Sequence, residues 1–181
     1  MVKDNVYLLP LGNLETKFME RLGGCLSERF VYGFKVLPPI DITSSNHDGD
    51  KQQPFSPLIF EQMKRYFYSD TRYLLGLTDL DLCCLGSDTP FGEVNRGHSA
   101  GLVSVYRLRP EYYGSFENHE LLFQRTLKES THQLAHLEGL EHCLSNYCVM
   151  YQARNVMDLD EQESMICLDC EKNYHKSKNN S

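Results

Sequence analysis

The sequence predicts a single α/β domain with a twisted, mostly parallel sheet of about five strands, an antiparallel edge strand and helices packed on it. Segments rich in β-favouring residues alternate with segments of helical spacing, as in parallel strands joined by helices. Residues 73–80 and 102–108 are almost continuously apolar, as expected for strands buried on both faces. The length of 181 residues suits one domain with one core.

The N-terminal part contains two strands and two helices by these criteria. In chain order the pattern predicts a strand at 6–9 that ends at Pro10, a helix at 14–30, a strand at 31–37 and a helix at 57–68. The stretch 41–57 is rich in Ser, Asn, Asp, Gly, Gln and Pro. We therefore expect a long exposed loop there.

The C-terminal part adds the edge strand and one long helix. Residues 89–94 form a short β-favouring segment, and Pro90 fits an edge strand better than a central one. Asn118 can cap a helix that ends at Gly139. Residues 171–181 are polar, so we expect a folded domain over 1–170 followed by a disordered tail.

Composition excludes several classes of protein. The net charge is −7 and no basic stripe is present, which argues against nucleic-acid binding, because that binding depends on neutralising phosphates. No run of 18 apolar residues occurs, so we expect no membrane span. The first residues lack the apolar core of a secretory signal. We therefore expect a cytoplasmic monomer in which the cysteines are reduced.

Residues 131–148 carry three histidines in the register H-x-x-x-H-x-x-G-x-x-H. His132 and His136 are one helical turn apart, so their rings point the same way. Gly139 can take a left-handed conformation, end the helix and turn the chain back, so that His142 reaches the same ion. Three protein ligands leave one position open to water, which distinguishes a catalytic zinc from a structural one. Three unrelated histidines are the alternative, and the shared register argues against it.

Four cysteines follow at paired spacings. Cys143 and Cys148 form C-x4-C, and Cys167 and Cys170 form C-x-x-C. Four thiolates close a tetrahedron around zinc and leave no open position, so this second ion would be structural. Buried, reduced cysteines without a metal are the alternative. With both sites filled, we expect two zinc ions per chain.

These residues resemble one family. The pattern H-x-x-x-H-x-x-G-x-x-H-C-x4-C-x-M followed by C-x-x-C is similar to that of the archaemetzincins, zinc-dependent metallopeptidases of the metzincin group. The segments LLGLTDLDL, PFGEV, SVYRLRP and RTLKE also resemble the family. The resemblance covers most of 73–170, whereas the N-terminal third matches only in general pattern.

The resemblance implies roles for individual residues. Catalytic zinc would bind His132, His136 and His142, and structural zinc the four cysteines. Met150 would lie in the turn beneath the catalytic site. The edge strand would line the cleft, so that a peptide or protein substrate binds by adding a strand along Phe91, Gly92, Glu93 and Val94.

The sequence departs from the family's active members at Gln133, where they carry the glutamate that acts as general base. A glutamine amide has nearly the same shape but cannot accept a proton at neutral pH. We therefore expect a zinc metallopeptidase that is inactive or strongly impaired. Glu129 lies one turn earlier on the same helix face, but its side chain leans toward the helix N-terminus, so we expect a supporting role. Whether Gln133 is natural or engineered stays open.

Two other readings compete with an impaired peptidase. A non-enzymatic zinc protein that binds peptides or a protein partner is supported by Gln133. A zinc-ribbon-like nucleic-acid binder is supported by the four cysteines alone, and the acidic charge argues against it.

Overall fold

The computed structural model describes residues 4–42, 56–82 and 91–179. Five strands and five α-helices of the described chain organise the fold. They are β1 (Asn5–Leu11), α1 (Thr16–Ser27), β2 (Gly33–Val36), α2 (Ser56–Met63), β3 (Thr71–Thr78), β4 (Gly92–Asn95), β5 (Ala100–Ser104), α3 (His119–Leu137), α4 (Val156–Glu161) and α5 (Leu168–Asn179).

The strands form one sheet in the order β2-β1-β3-β5-β4. Four strands are parallel, and β4 pairs antiparallel with β5 at the edge. This confirms the α/β class, the mostly parallel sheet and the antiparallel edge strand. Among the described residues β4 is the last strand of this sheet, so one of its sides faces away from β5.

Both faces of the sheet are covered, which explains the apolar runs of the central strands. Helices α1 and α3 pack on one face, where the fully or almost fully buried side chains include Val6, Leu8, Leu22, Leu26, Leu75, Phe123, Leu127 and Leu134. Helix α2 packs on the other face, with Leu9, Leu11, Ile59, Phe60, Met63, Leu74 and Leu102 buried there. Because successive residues of a strand point to opposite faces, β1 and β3 must be apolar at nearly every position.

The expectation that Pro10 ends the first strand is wrong. β1 continues to Leu11, and the Pro10 carbonyl accepts a hydrogen bond from the Ile40 N–H at 3.0 Å. In a parallel strand the N–H and C=O of one residue point the same way. The N–H that Pro10 lacks would therefore point toward the β2 side, beyond Val36, where β2 has ended.

The strand expected at 102–108 is shorter than its apolar pattern indicated. β5 ends at Ser104, and Val105 has helical backbone angles. The Ser104 hydroxyl accepts from the Tyr106 N–H at 3.2 Å, and the Leu108 N–H bonds the Val105 carbonyl at 3.2 Å. A turn and a 3₁₀ segment therefore replace the second half of the predicted strand. The side chain of Leu108 is still buried.

Other boundaries shift by a few residues. The second predicted strand is confined to Gly33–Val36, and the helix expected at 57–68 ends at Met63, with a 3₁₀ turn at Lys64–Tyr66. Most of the expected loop, 43–55, lies outside the described residues, as does the start of the edge segment, 89–90.

The C-terminal segment differs from the expected disordered tail. Helix α5 runs to Asn179, so residues 171–179 are helical, and residues 180–181 lie outside the described part. The Tyr174 hydroxyl donates to the Glu138 carboxylate at 2.8 Å, which ties α5 to the end of α3. None of the helices in the described ranges is long and apolar enough to cross a membrane.

Candidate metal centres

Helix α3 begins and ends as its sequence predicts. The Asn118 side chain accepts from the Leu121 N–H at 3.0 Å and caps the first turn. At the other end Gly139 has φ +96°, and the N–H groups of Gly139 and Leu140 bond the His136 and Ala135 carbonyls, both at 3.0 Å. This is the Schellman arrangement that a left-handed glycine makes possible. The chain therefore leaves the helix axis at Gly139, three residues before His142.

The turn brings the three histidines together. Their ring nitrogens lie within 4.8 Å of one another, and the Nε2 atoms of His132 and His136 are 2.9 Å apart. His132 and His136 are buried, whereas His142 is exposed. The site is thus closed on the helix side and open on the side of the third histidine.

Two backbone carbonyls set the tautomers of the buried histidines. Nδ1 of His132 lies 2.7 Å from the Val149 carbonyl oxygen, and Nδ1 of His136 lies 2.8 Å from that of Leu140. A carbonyl oxygen only accepts, so each Nδ1 carries the proton and each Nε2 presents a lone pair. Two lone pairs at 2.9 Å repel each other unless a cation lies between them. This donor set therefore fits a divalent metal ion such as zinc.

Burial keeps the two inner histidines ready to bind a metal. Desolvation lowers the pKa values of His132 and His136 from 6.5 to about 4. For His136, the neighbouring His132 lowers the pKa further. Both rings are therefore neutral at physiological pH, which is the form that ligates a metal.

The four cysteines form a second cluster of the same compactness. Sγ of Cys143 lies 3.8 Å from Sγ of Cys167, and Sγ of Cys148 lies 3.8 Å from Sγ of Cys170. A tetrahedral zinc with Zn–S bonds of about 2.3 Å requires S–S separations of roughly 3.8 Å. A hydrogen bond from the Cys170 N–H is the largest cause that lowers the pKa of Cys167 to about 7. The cluster therefore fits a closed zinc site.

Met150 connects the two clusters. It is fully buried, in a small core with Ala135, Leu140 and Cys148. Its carbonyl accepts from the Cys143 N–H at 2.8 Å, and its own N–H approaches Sγ of Cys148 at 3.4 Å. Met150 therefore packs against α3 and at the same time bonds two residues of the cysteine cluster.

Gln133 is buried and makes a contact that the sequence did not reveal. Its Nε2 donates to Oε1 of Glu129 at 2.5 Å. Burial raises the pKa of Glu129 to about 7, against the opposing effect of this hydrogen bond. Spacing of i, i+4 was the signal that could have found the pair. The amide of Gln133 is thus oriented by a neighbouring carboxylate.

The edge strand lies directly beside this pair. A Cβ on Gly92 would stand 2.7 Å from both Gln133 Nε2 and Glu129 Oε1, so only glycine allows this approach. The Phe91 carbonyl accepts from Ser104 at 2.8 Å. In an antiparallel ladder the alternate residues, Gly92 and Val94, therefore direct their peptide groups away from β5. Of the predicted substrate-binding residues, Phe91 is buried in the core and Glu93 accepts from the Ser56 hydroxyl at 2.6 Å.

Glu138 makes a further set of contacts that spacing could not indicate. It is buried at the position that directly follows α3, and its carboxylate accepts from the hydroxyls of Tyr32 and Tyr174. Tyr32 directly precedes β2 and Tyr174 lies in α5, so residues far apart in the sequence meet at the turn between α3 and His142.

The fold and the two sites together define a class of protein. An α/β sheet whose edge strand adjoins a helix with two inward histidines, followed by a third histidine and a cysteine cluster, is the framework of a zinc-dependent peptidase. The chain belongs to peptidase family M54, the archaemetzincins, whose family model matches residues 61–176.

Similarity to individual relatives extends over nearly the whole chain. It is 30% identical to the archaemetzincin of Pyrococcus abyssi, over 95% of each chain. The crystal structure of archaemetzincin from Archaeoglobus fulgidus, complexed with malonate, has 28% identity, a TM-score of 0.76 and coverage of 93% of this chain and 98% of that one. A zinc-dependent peptidase from Methanocorpusculum labreanum shares the fold, with a TM-score of 0.80, 22% identity and coverage of 93% and 99%.

Proposed function

We propose that this chain holds two zinc ions and a peptide as an archaemetzincin does, but hydrolyses the peptide poorly because Gln133 stands at the position of the general base. The observation that supports it is the pair of Nε2 atoms, 2.9 Å apart, on neutral histidines beside a glutamine. The histidines would hold the catalytic ion and the cysteines the structural one. When bound in the histidine site, zinc supplies a Lewis acid that polarises a carbonyl and activates water.

Gln133 limits the proton transfers of the reaction. Its amide donates to Glu129 and cannot accept a proton at neutral pH. A missing general base costs roughly 10²–10⁴ in rate. Binding does not need that base, so metal affinity and peptide affinity are retained.

A peptide would lie along β4. Val94 directs its peptide group outward, and Gly92 adjoins Gln133. Main-chain hydrogen bonds of an added strand supply affinity with little dependence on sequence. In this proposal the peptide backbone lies between the edge strand and the histidines.

A non-enzymatic role is the second candidate, and Gln133 favours it. In that case the same zinc-containing cleft would bind a peptide or a protein partner without cleaving it. The two candidates differ only in whether hydrolysis returns with a carboxylate at position 133.

The Gln133→Glu variant tests this. Purified chain and variant are incubated with a broad peptide mixture, cleavage is followed by mass spectrometry, and zinc is measured by elemental analysis. We expect two zinc ions per chain in both, and a rate increase of roughly 10²–10⁴ in the variant. Gln133→Glu combined with His136→Ala is the control and should be inactive.

Two results would overturn parts of the proposal. An inactive Gln133→Glu protein with both zinc ions bound favours the non-enzymatic role. Equal, zinc-dependent rates in the chain and the variant would show that Gln133 does not impair hydrolysis.

A further inference from the structure

Arg96 lies where the edge strand meets the turn at 138–142, between α3 and the third histidine. It directly follows β4, and its Nη2 donates to the Leu140 carbonyl at 3.3 Å and contacts Oε1 of Glu141 at 2.9 Å. The Leu140 carbonyl is also the partner of Nδ1 of His136. The guanidinium is thus held at the mouth of the histidine site, just beyond the end of the strand along which a peptide would lie.

Arg96 and Glu141 form a solvent-exposed ion pair. The side chains of Arg96 and Glu141 are 50% and 75% exposed. By contrast, Arg125 is 7% exposed and holds Asp160 with two of its nitrogens. Water screens an exposed pair, so it contributes little to stability. Another carboxylate can therefore replace Glu141 on Arg96 at small cost.

We propose that Arg96 is a specificity residue that selects peptides with an acidic side chain on the N-terminal side of the bond to be cleaved. In the absence of peptide, the Glu141 carboxylate pairs with Arg96 in place of that acidic side chain. This rests on the proposed function. An antiparallel added strand, the slightly more stable arrangement, runs opposite to β4, so its N-terminal part lies beside Arg96. The planar guanidinium matches a carboxylate with two parallel hydrogen bonds.

Equilibrium binding tests the proposal, because Gln133 slows cleavage enough for binding to be measured. Fluorescein-labelled peptides with blocked ends are prepared as twins that carry Asp or Asn at one position, on either side of the central bond. Fluorescence anisotropy with the zinc-loaded chain gives the affinities, and mass spectrometry confirms that the peptides stay intact. We expect the peptide with Asp on the N-terminal side to bind about tenfold tighter than its Asn twin.

Two substitutions should act in opposite directions. Arg96→Gln removes the preference for Asp, so that the two twins then bind with equal affinity. Glu141→Gln removes the internal competitor and tightens binding of the Asp peptide only. Arg21 and Glu120 form the matched control, since their side chains are 50% and 58% exposed and Glu120 lies 16 residues before His136, about 24 Å along α3. Arg21→Gln and Glu120→Gln should change no affinity.

The outcomes separate this proposal from the one on which it rests. If Arg96→Gln and Glu141→Gln weaken the binding of both twins equally, or lower the zinc content, the ion pair only stabilises the turn. The proposal is then overturned. A preference for Asp on the C-terminal side also overturns it. If neither twin binds the zinc-loaded chain, the proposed peptide-binding function itself fails.

Discussion

Nδ1 of His132 lies 2.7 Å from the carbonyl oxygen of Val149, the residue that follows Cys148. On its other side, the Val149 N–H donates to the Met165 carbonyl at 3.1 Å, two residues before Cys167. His142 directly precedes Cys143. His132 is therefore bonded to, and His142 is continuous with, the chain that carries the cysteine cluster, so the two candidate metal sites share one structural support.

This link predicts that loss of the cysteine site weakens the histidine site. Cys167→Ser should remove the structural ion and lower the metal affinity of the histidines roughly 10–100-fold, the usual effect of losing groups that orient ligands. Cobalt titration measures both sites, because cobalt–thiolate bands are distinct from those of a histidine site. Cys25→Ser is the control, since Cys25 lies outside the cluster.

The linkage must also act in reverse. If the cysteine site strengthens the histidine site by some factor, a filled histidine site strengthens the cysteine site by the same factor. His136→Ala should therefore weaken cobalt binding by the thiolates. Unchanged affinity of the histidines in a folded Cys167→Ser protein would show that the two sites are independent.

At Gly139 a side chain should be unfavourable because of the backbone conformation alone, and not because of a steric clash. The φ of Gly139 is +96°, and a Cβ would meet no atom within 4 Å. Gly139→Ala should therefore lower the free energy of unfolding by about 1–2 kcal/mol and weaken metal binding, since His142 would move. Gly24→Ala, which lies in α1 and also meets nothing within 4 Å, is the control.

The control should behave differently. Gly24 is an exposed helix residue, and alanine there should stabilise the protein by roughly 0.5–1 kcal/mol. Denaturant unfolding measures both variants. Equal effects of the two substitutions would contradict the role assigned to the left-handed turn.

Glu129 predicts a pH dependence of stability. Burial raises its pKa from 4.5 to about 7, so between these values the folded state holds a proton that the unfolded state has lost, and stability falls as pH rises. The Glu129→Gln variant has no titratable group at this position. The free energy of unfolding of the variant, relative to that of the parent chain, should therefore rise by about 3 kcal/mol between pH 4.5 and 8.

Denaturant unfolding at matched metal content gives this difference. Glu120→Gln serves as the comparison on the same helix. Hydrogen bonds from Gln124 and Arg21 lower the pKa of Glu120, so that variant should show a slope of opposite sign. A relative stability of Glu129→Gln that does not change with pH would mean that Glu129 is ionised in the fold at pH 5.

The sequence predicted those parts of the site whose geometry depends only on residues close together in the chain. His132, His136 and Gly139 belong to one helix and its cap, and the 3.6-residue period with a left-handed glycine specifies their relation. The cysteines were readable because their paired spacings are local too. Pro10 and residues 105–108 were read wrongly, because the end of a strand depends on where its neighbours end and which hydrogen bonds remain to be made.

The chain alone determined which residue types meet at the end of α3 and that position 133 lacks a carboxylate, because these follow from neighbours within one or two helical turns. Tertiary structure decided the rest: Val149 against His132, Arg96 at the turn, and Tyr32 and Tyr174 on Glu138. These partners are separated by 17 to 106 residues. No periodicity spans such distances, so only the packing of strands and helices brings them together.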